Sequence, residues 1–194
     1  MSVKAEMESE GRMKDGVPPG GNVAMPTEFR EVDVTLDPAT AHPRLVLSED
    51  QKSMRYGDTW QDLPNNPERF DFSFSALGSK GFTSGRHYWE MEVGPEGFWA
   101  IGVTRGSVRR KGGILLKPYS GIWALNCHEI PQCLQNTPRK IRVCLNYERG
   151  EVRFYNVENE ALISSLTAEL KGKVVPFFHL WAVGSHIKLL PSQR

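Results

Sequence analysis

Apolar and polar positions alternate with a period of two along much of the chain. Trp89, Met91 and Val93 alternate with Glu90 and Glu92, and Trp99, Ile101 and Val103 share one side of Phe98–Val103. Ile141, Val143, Leu145 and Tyr147 alternate with Arg142, Cys144 and Asn146. Successive side chains of a strand point to opposite faces, so each run predicts a strand with one buried and one wet face. Trp89 heads the central strand, and its indole N–H requires a hydrogen-bond partner once buried. The sequence Glu148-Arg149-Gly150-Glu151 then turns the chain back into Val152 and Phe154, giving the clearest hairpin, with Gly150 free to take positive φ.

Shorter elements follow the same rule. Val32, Val34 and Leu36 alternate with Asp33 and Thr35 as a first strand, ended by Asp37-Pro38. Leu45-Val46-Leu47, Gly121–Leu125, Val174–Phe178 and His186–Leu190 read as further strands. Gly102, inside a strand, predicts close approach of a neighbouring backbone. Asn159–Leu170 has a weak helical period but reads better as strand and loop. Many short strands without helical stripes predict an all-β, bent two-layer antiparallel β-sandwich. Residues 1–28 are polar, contain Gly16-Val17-Pro18-Pro19-Gly20-Gly21 and show no period, which predicts a disordered leader.

Composition narrows the function classes. A chain of 194 residues that is 39% hydrophobic supports one core. The net charge of +1 conceals a split: residues 1–71 hold 8 Lys+Arg and 14 Asp+Glu, residues 72–194 hold 16 and 9. Either the two halves attract each other within one sandwich, or a basic face serves binding. Cys127, Cys133 and Cys144 are odd in number and form no Cys-x-x-Cys pair, which suits a reducing compartment. No secretory signal and no apolar run of membrane-spanning length is visible. The expected location is cytoplasmic.

Enzyme chemistry finds little footing. Cys127-His128 with Cys133, and His179 with His186, lack the spacing of a zinc site. No Gly-x-Ser-x-Gly is present, and no Asp follows Asp71 to orient a histidine. Gly112-Gly113 is followed by no Gly-Lys-Ser/Thr, so it is not a phosphate loop. A small β-sandwich hydrolase using His128 or His179 is the remote alternative. Arg105, Arg109, Arg110 and Lys111 form a basic cluster without the interleaved aromatics of a nucleic-acid groove. No enzyme activity, metal, cofactor, nucleic acid or membrane insertion is expected.

Three motifs in order resemble the PRY-SPRY (B30.2) family of tripartite-motif proteins and butyrophilins: Leu36-Asp37-Pro38, Trp89-Glu90-Met91 and Leu145-Asn146-Tyr147-Glu148. Asn-Pro-Glu-Arg-Phe at 66–70 resembles a fourth segment. The resemblance implies a PRY part at 29–83 and a SPRY part at 84–194, together one domain. It also implies a non-catalytic module binding a protein or peptide partner through loops at one end of the sandwich. Substrate recognition for a tripartite-motif ubiquitin ligase, or innate-immune regulation, is the implied context. A ligand-sensing domain of a butyrophilin-like receptor is the alternative. Asn146 stands where the family usually has Asp, an exchange that keeps most of the hydrogen bonding. Ala100 stands where phosphate-sensing butyrophilins carry a His, so that ligand is not implied.

By this resemblance the recognition loops are 55–66, 105–120, 126–139 and 178–185. They hold the anchor-type residues Tyr56, Trp60, Arg105, Tyr119, Trp123 and Trp181, expected to form one face with Arg109, Arg110 and Lys111 on its rim. The alternative for each aromatic is core packing, which is the expectation for Trp89 and Trp99. The isolated chain is expected to be monomeric.

Overall fold

The computed structural model describes residues 28–130 and 138–193. The predicted leader, apart from Glu28, and part of the 126–139 loop lie outside the described residues.

Among the described residues twelve strands form in chain order: β1 (Arg30–Glu31), β2 (Leu45–Leu47), β3 (Ser53–Tyr56), β4 (Ser75–Leu77), β5 (Arg86–Val93), β6 (Phe98–Arg105), β7 (Ile122–Asn126), β8 (Lys140–Asn146), β9 (Glu151–Asn156), β10 (Leu162–Thr167), β11 (Val174–Trp181) and β12 (His186–Leu189). They make two sheets. One has the order β10-β9-β8-β5-β12-β3-β2, with β1 added in parallel to the start of β5. The other has the order β4-β11-β6-β7. All other pairings are antiparallel.

The period-two pattern sets what lies between the sheets. Trp89, Met91, Val93, Ile141, Val143, Leu145, Val152 and Phe154 come from the larger sheet. Trp99, Ile101, Val103, Trp123, Leu125, Val174, Phe178 and Leu180 come from the smaller. Each large apolar side chain removed from water contributes about 1.5–3 kcal/mol, so this layer is the main stabilising term. Trp89 stacks on Phe82 with ring centroids 5.8 Å apart. Its Nε1, contrary to expectation, is buried with no hydrogen-bond partner. The apolar area of the ring outweighs a desolvation cost of about 1–3 kcal/mol.

The first predicted strand is shorter than its alternation suggests. Only Arg30–Glu31 pairs as a strand, and Leu36 makes a single bridge to Gly78. Val34 and Leu36 are nonetheless buried, because Leu36 N–H donates to Gln51 O and holds the segment over the core. Asn159–Leu170 contains β10, as the strand reading required. Asn146 keeps a turn-forming role, since its Oδ1 accepts from Arg149 N–H at 3.1 Å. The Pro-rich segment at 64–70 is fixed by Arg69, a buried cation that donates to Pro38 O, Ala41 O, Pro64 O and Asn66 Oδ1.

Gly102 sits in the middle of β6 between β11 and β7. A Cβ there would lie 2.0 Å from the carbonyl oxygen of Trp123, which belongs to the paired strand. Backbone in a sheet centre cannot yield. Gly102→Ala should therefore destabilise the domain by about 3 kcal/mol or more, read as a fall in the urea midpoint. An unchanged midpoint would show that the strands separate without cost.

Candidate functional site: an aromatic end and a basic end

β11 pairs with β6 so that Trp181 lies opposite Phe98 and His179 opposite Ala100. These residues share the outer face of the smaller sheet. Towards the Arg105 end that face is covered by Phe70, Val108, Ile114 and Leu116, which pack on Ile122, Val175 and Phe177. Towards the Phe98 end the cover stops, and Trp181 is 56% exposed. The Phe98 ring lies 5.4 Å from His128 and 6.0 Å from His179. The next turn is held rigidly: Ser185 Oγ donates to Trp181 O and Ala182 O, and Ala182 takes φ 83°. That turn leaves Val183 exposed.

Trp60 joins this end through His42. His42 stands edge-on to Trp60 at 4.6 Å and to Phe74 at 4.7 Å, and Tyr56 meets Phe74 at 5.4 Å. Phe74 O accepts from Leu180 N–H, next to Trp181. Gln61 Nε2 donates to Pro43 O and Leu45 O, so the loop carrying Trp60 is pinned while the ring remains 60% exposed. Tyr56 is half-buried, with the Arg44 guanidinium 4.9 Å over its ring.

His42 and His179 are held neutral. Arg44 N–H donates to His42 Nδ1, which places the His42 proton on Nε2. Burial lowers the His42 pKa to about 4. Burial, helped by the nearby His42, lowers that of His179 to about 4 as well. His179 Nδ1 shares a hydrogen bond with Ser75 Oγ, which shares another with Ser73 Oγ. Ser75 is completely buried, so its hydroxyl has no approach to a substrate carbonyl. Among the described residues no group of three His, Cys, Asp or Glu could hold a metal. Cys144 is buried, and burial pushes its thiol pKa up, away from nucleophilic chemistry.

The remaining expected anchors lie at the other end. Arg105 pairs with Val174, the far terminus of both β6 and β11 from Phe98 and Trp181. At about 3.3 Å per residue the two ends are roughly 23 Å apart. The single face drawn from sequence is thus divided, with Tyr56, Trp60 and Trp181 at one end and Arg105, Tyr119 and Arg109 at the other. Trp123 is 2% exposed and belongs to the core, under the Arg105 guanidinium at 5.5 Å. Arg110 is not a rim charge: it donates to Val108 O, Glu68 O and Gly106 O. Lys111 Nζ likewise donates to Asn65 Oδ1, Asn66 O and Arg69 O. Both fasten the loop to the PRY part. Phe98 and Val183 were not singled out from sequence, and His128 and His179 were considered only for metal or hydrolase chemistry, although 179 and 181 share a strand parity.

Residues 34–82 match the PRY, SPRY-associated domain, and residues 86–191 match the SPRY domain. The chain belongs to the PRY-SPRY family. This PRY-SPRY chain is 45% identical over 169 residues to mouse butyrophilin subfamily 1 member A1, covering 81% of this chain and 32% of that protein. It is 43% identical to the mouse E3 ubiquitin-protein ligase TRIM58, covering 76% and 33%. It is 47% identical to human erythroid membrane-associated protein, also covering 76% and 33%. The chain thus spans about a third of the length of each relative. The TRIM65 PSpry domain has the same fold, with a TM-score of 0.70 at 19% identity, over 84% of this chain and 92% of that one. A stonustoxin structure gives a TM-score of 0.70 at 26% identity, over 82% of this chain and 27% of that one.

The neutral histidines set a pH dependence. Both folded-state pKa values lie at about 4, below the ordinary 6.5, so protonation favours the unfolded chain. Their contribution to stability is full above pH 6.5 and is lost as pH falls from 6.5 towards 4. Thermal unfolding should show a midpoint that drops through this window, and His42→Gln should make the drop shallower. A midpoint constant through the window, or a slope unchanged in His42→Gln, would refute the assignment.

Proposed function

We propose that the domain is a non-catalytic recognition module that docks a protein or peptide on the aromatic end formed by Trp60 and Trp181, with Phe98, His179 and Val183 beside them. The observation that carries this reading is the exposure of two tryptophans at one end, each on a backbone fixed by side-chain hydrogen bonds. Tryptophan in a desolvated interface centre supplies large area at little conformational cost, and such residues dominate binding energies. A pinned base also lowers the ordering cost of association. SPRY domains generally bind proteins, and the family match supports the same role here.

The context of the module follows from its relatives. Similarity to an E3 ubiquitin-protein ligase supports a substrate-recognition role, with the ligase activity carried elsewhere in such proteins. Similarity to butyrophilins supports the second reading, a receptor's cytosolic recognition domain. In both, the module works in the cytoplasm.

Trp60→Ala and Trp181→Ala should each weaken partner binding about 30-fold or more, equivalent to about 2 kcal/mol, with thermal midpoints close to the parent. Trp123→Ala should instead lower stability by about 3–5 kcal/mol, since it opens the core. The measurement is titration calorimetry with a partner identified by proximity labelling. Parent-like affinity in both exposed-tryptophan variants would refute the aromatic end as the docking face.

A further inference from the structure

The end of the sandwich opposite Trp181 has a different chemistry. From Gly97 to His128 the chain carries Arg105, Arg109, Arg110, Lys111 and Lys117 and no Asp or Glu. Arg110 and Lys111 are occupied by carbonyl oxygens and hold the loop in place. Ile114 and Leu116 anchor it by packing on the Phe70, Val108 and Phe177 cluster. Anchored at these alternate positions, the loop turns the others outward. Leu115 is 63% and Tyr119 75% exposed, and Lys117 is exposed between them.

Arg105 adds a recessed charge. Its side chain lies against the turn that carries Tyr119, with Cδ 3.1 Å from where a Cβ on Gly121 would be. Its Nε is buried with no hydrogen-bond partner, and its guanidinium meets Trp123 and a long 3.5 Å contact to Glu169 O, with no carboxylate. Acids near this loop are engaged elsewhere, Asp37 among them, whose Oδ1 accepts from Ala39 N–H. Asp71 accepts from Gly112 N–H, Glu68 from Asn66, and Glu169 pairs with Lys171. A half-buried cation without a counter-ion carries a desolvation cost that a forked carboxylate would offset.

We propose that this end binds an acidic peptide segment bearing a bulky apolar residue. Its carboxylates meet Arg105, Arg109 and Lys117, and its apolar side chain lies on Leu115 and Tyr119. The proposal rests on the reading of the domain as a protein-recognition module and adds a second surface to it. A carboxylate on a flexible side chain can reach the recessed Arg105, whereas the headgroup plane of a bilayer stops at the exposed tips. That difference favours a peptide over an anionic membrane.

The test is selection of a displayed random-peptide library on the full chain, followed by titration of synthetic winners. Enriched peptides should pair Asp or Glu with Leu, Phe or Trp, and bind more weakly as salt is raised. Leu115→Ala and Lys117→Glu should each weaken them about 10-fold or more without lowering the thermal midpoint. Lys188→Glu, a charge reversal on the exposed face of the larger sheet, should leave affinity within about twofold. Winners without acidic bias, or indifferent to Leu115→Ala and Lys117→Glu, overturn the proposal. Winners lost only in Trp60→Ala or Trp181→Ala also overturn it, yet leave the aromatic end standing as the recognition face. No enrichment, with co-flotation on phosphatidylserine vesicles that Lys117→Glu abolishes, replaces the peptide by a membrane. No enrichment and no flotation removes the second surface altogether.

Discussion

β11 carries the heaviest constraint in the molecule, because it is hydrogen-bonded on both edges and apolar on both faces over most of its length. It pairs with β6 through all eight residues and with β4 through three. Val174, Phe178 and Leu180 point to the inter-sheet core, and Val175 and Phe177 to the second cluster. A slip of one residue would exchange these sets and break both clusters. Pro176 is tolerated within it because β4 is short: Pro176 O accepts from Gly78 N–H, and the donor that proline lacks falls where β4 has ended. Once this register is set, His179 and Trp181 must lie on the outer face, and the last of them must stand beyond the cover supplied by Ile114 and Leu116. The exposed tryptophan is a consequence of where the loop cover stops.

The same register explains which parts of the site were legible in the sequence. Strand parity is local, so Trp89, Met91, Val93, Ile141, Val143 and Leu145 could be assigned to the core from alternation alone. Gly102 and Gly150 were legible because a missing side chain has few uses within a strand or a two-sided turn; Gly150 takes φ 66°. The division of the anchors between two ends was not legible. It depends on β6 running antiparallel to β11 over their full length, and no local pattern states which strands pair. Trp123 was ambiguous because Ile122 and Trp123 are both apolar, so the run has no polar member to mark the wet side. Here Trp123 and Leu125 face the inter-sheet core while Ile122 packs in the second cluster.

Basic residues were the least legible group, for a reason of reach. Arg and Lys have long stems, and their heads can satisfy carbonyls far away in sequence. Arg69, Arg110 and Lys111 do so, each serving three or more acceptors across loops of the PRY and SPRY parts. A charge in that role is structural, and its substitution would leave carbonyls stranded. Arg109 and Lys117, with the same charge and the same neighbourhood in sequence, remain exposed.

This bears on the acidic and basic halves of the chain. If the halves were held together by opposite charge, ion pairs should cross between residues 28–71 and the rest. Among the described residues only Arg86–Glu28 does so. The others lie within one side: Lys52–Asp33 in the first, and pairs such as Lys140–Glu92, Arg142–Glu90, Arg142–Glu160 and Arg153–Glu151 in the second. Apolar burial and hydrogen bonds to carbonyls join the halves instead. On the loop that displays Leu115 and Tyr119, Arg110 and Lys111 face Glu68 of the first half, and Arg109 and Lys117 are the exposed cations. Those two exposed cations, which no carboxylate among the described residues engages within ion-pair distance, are the ones the proposed acidic segment would meet.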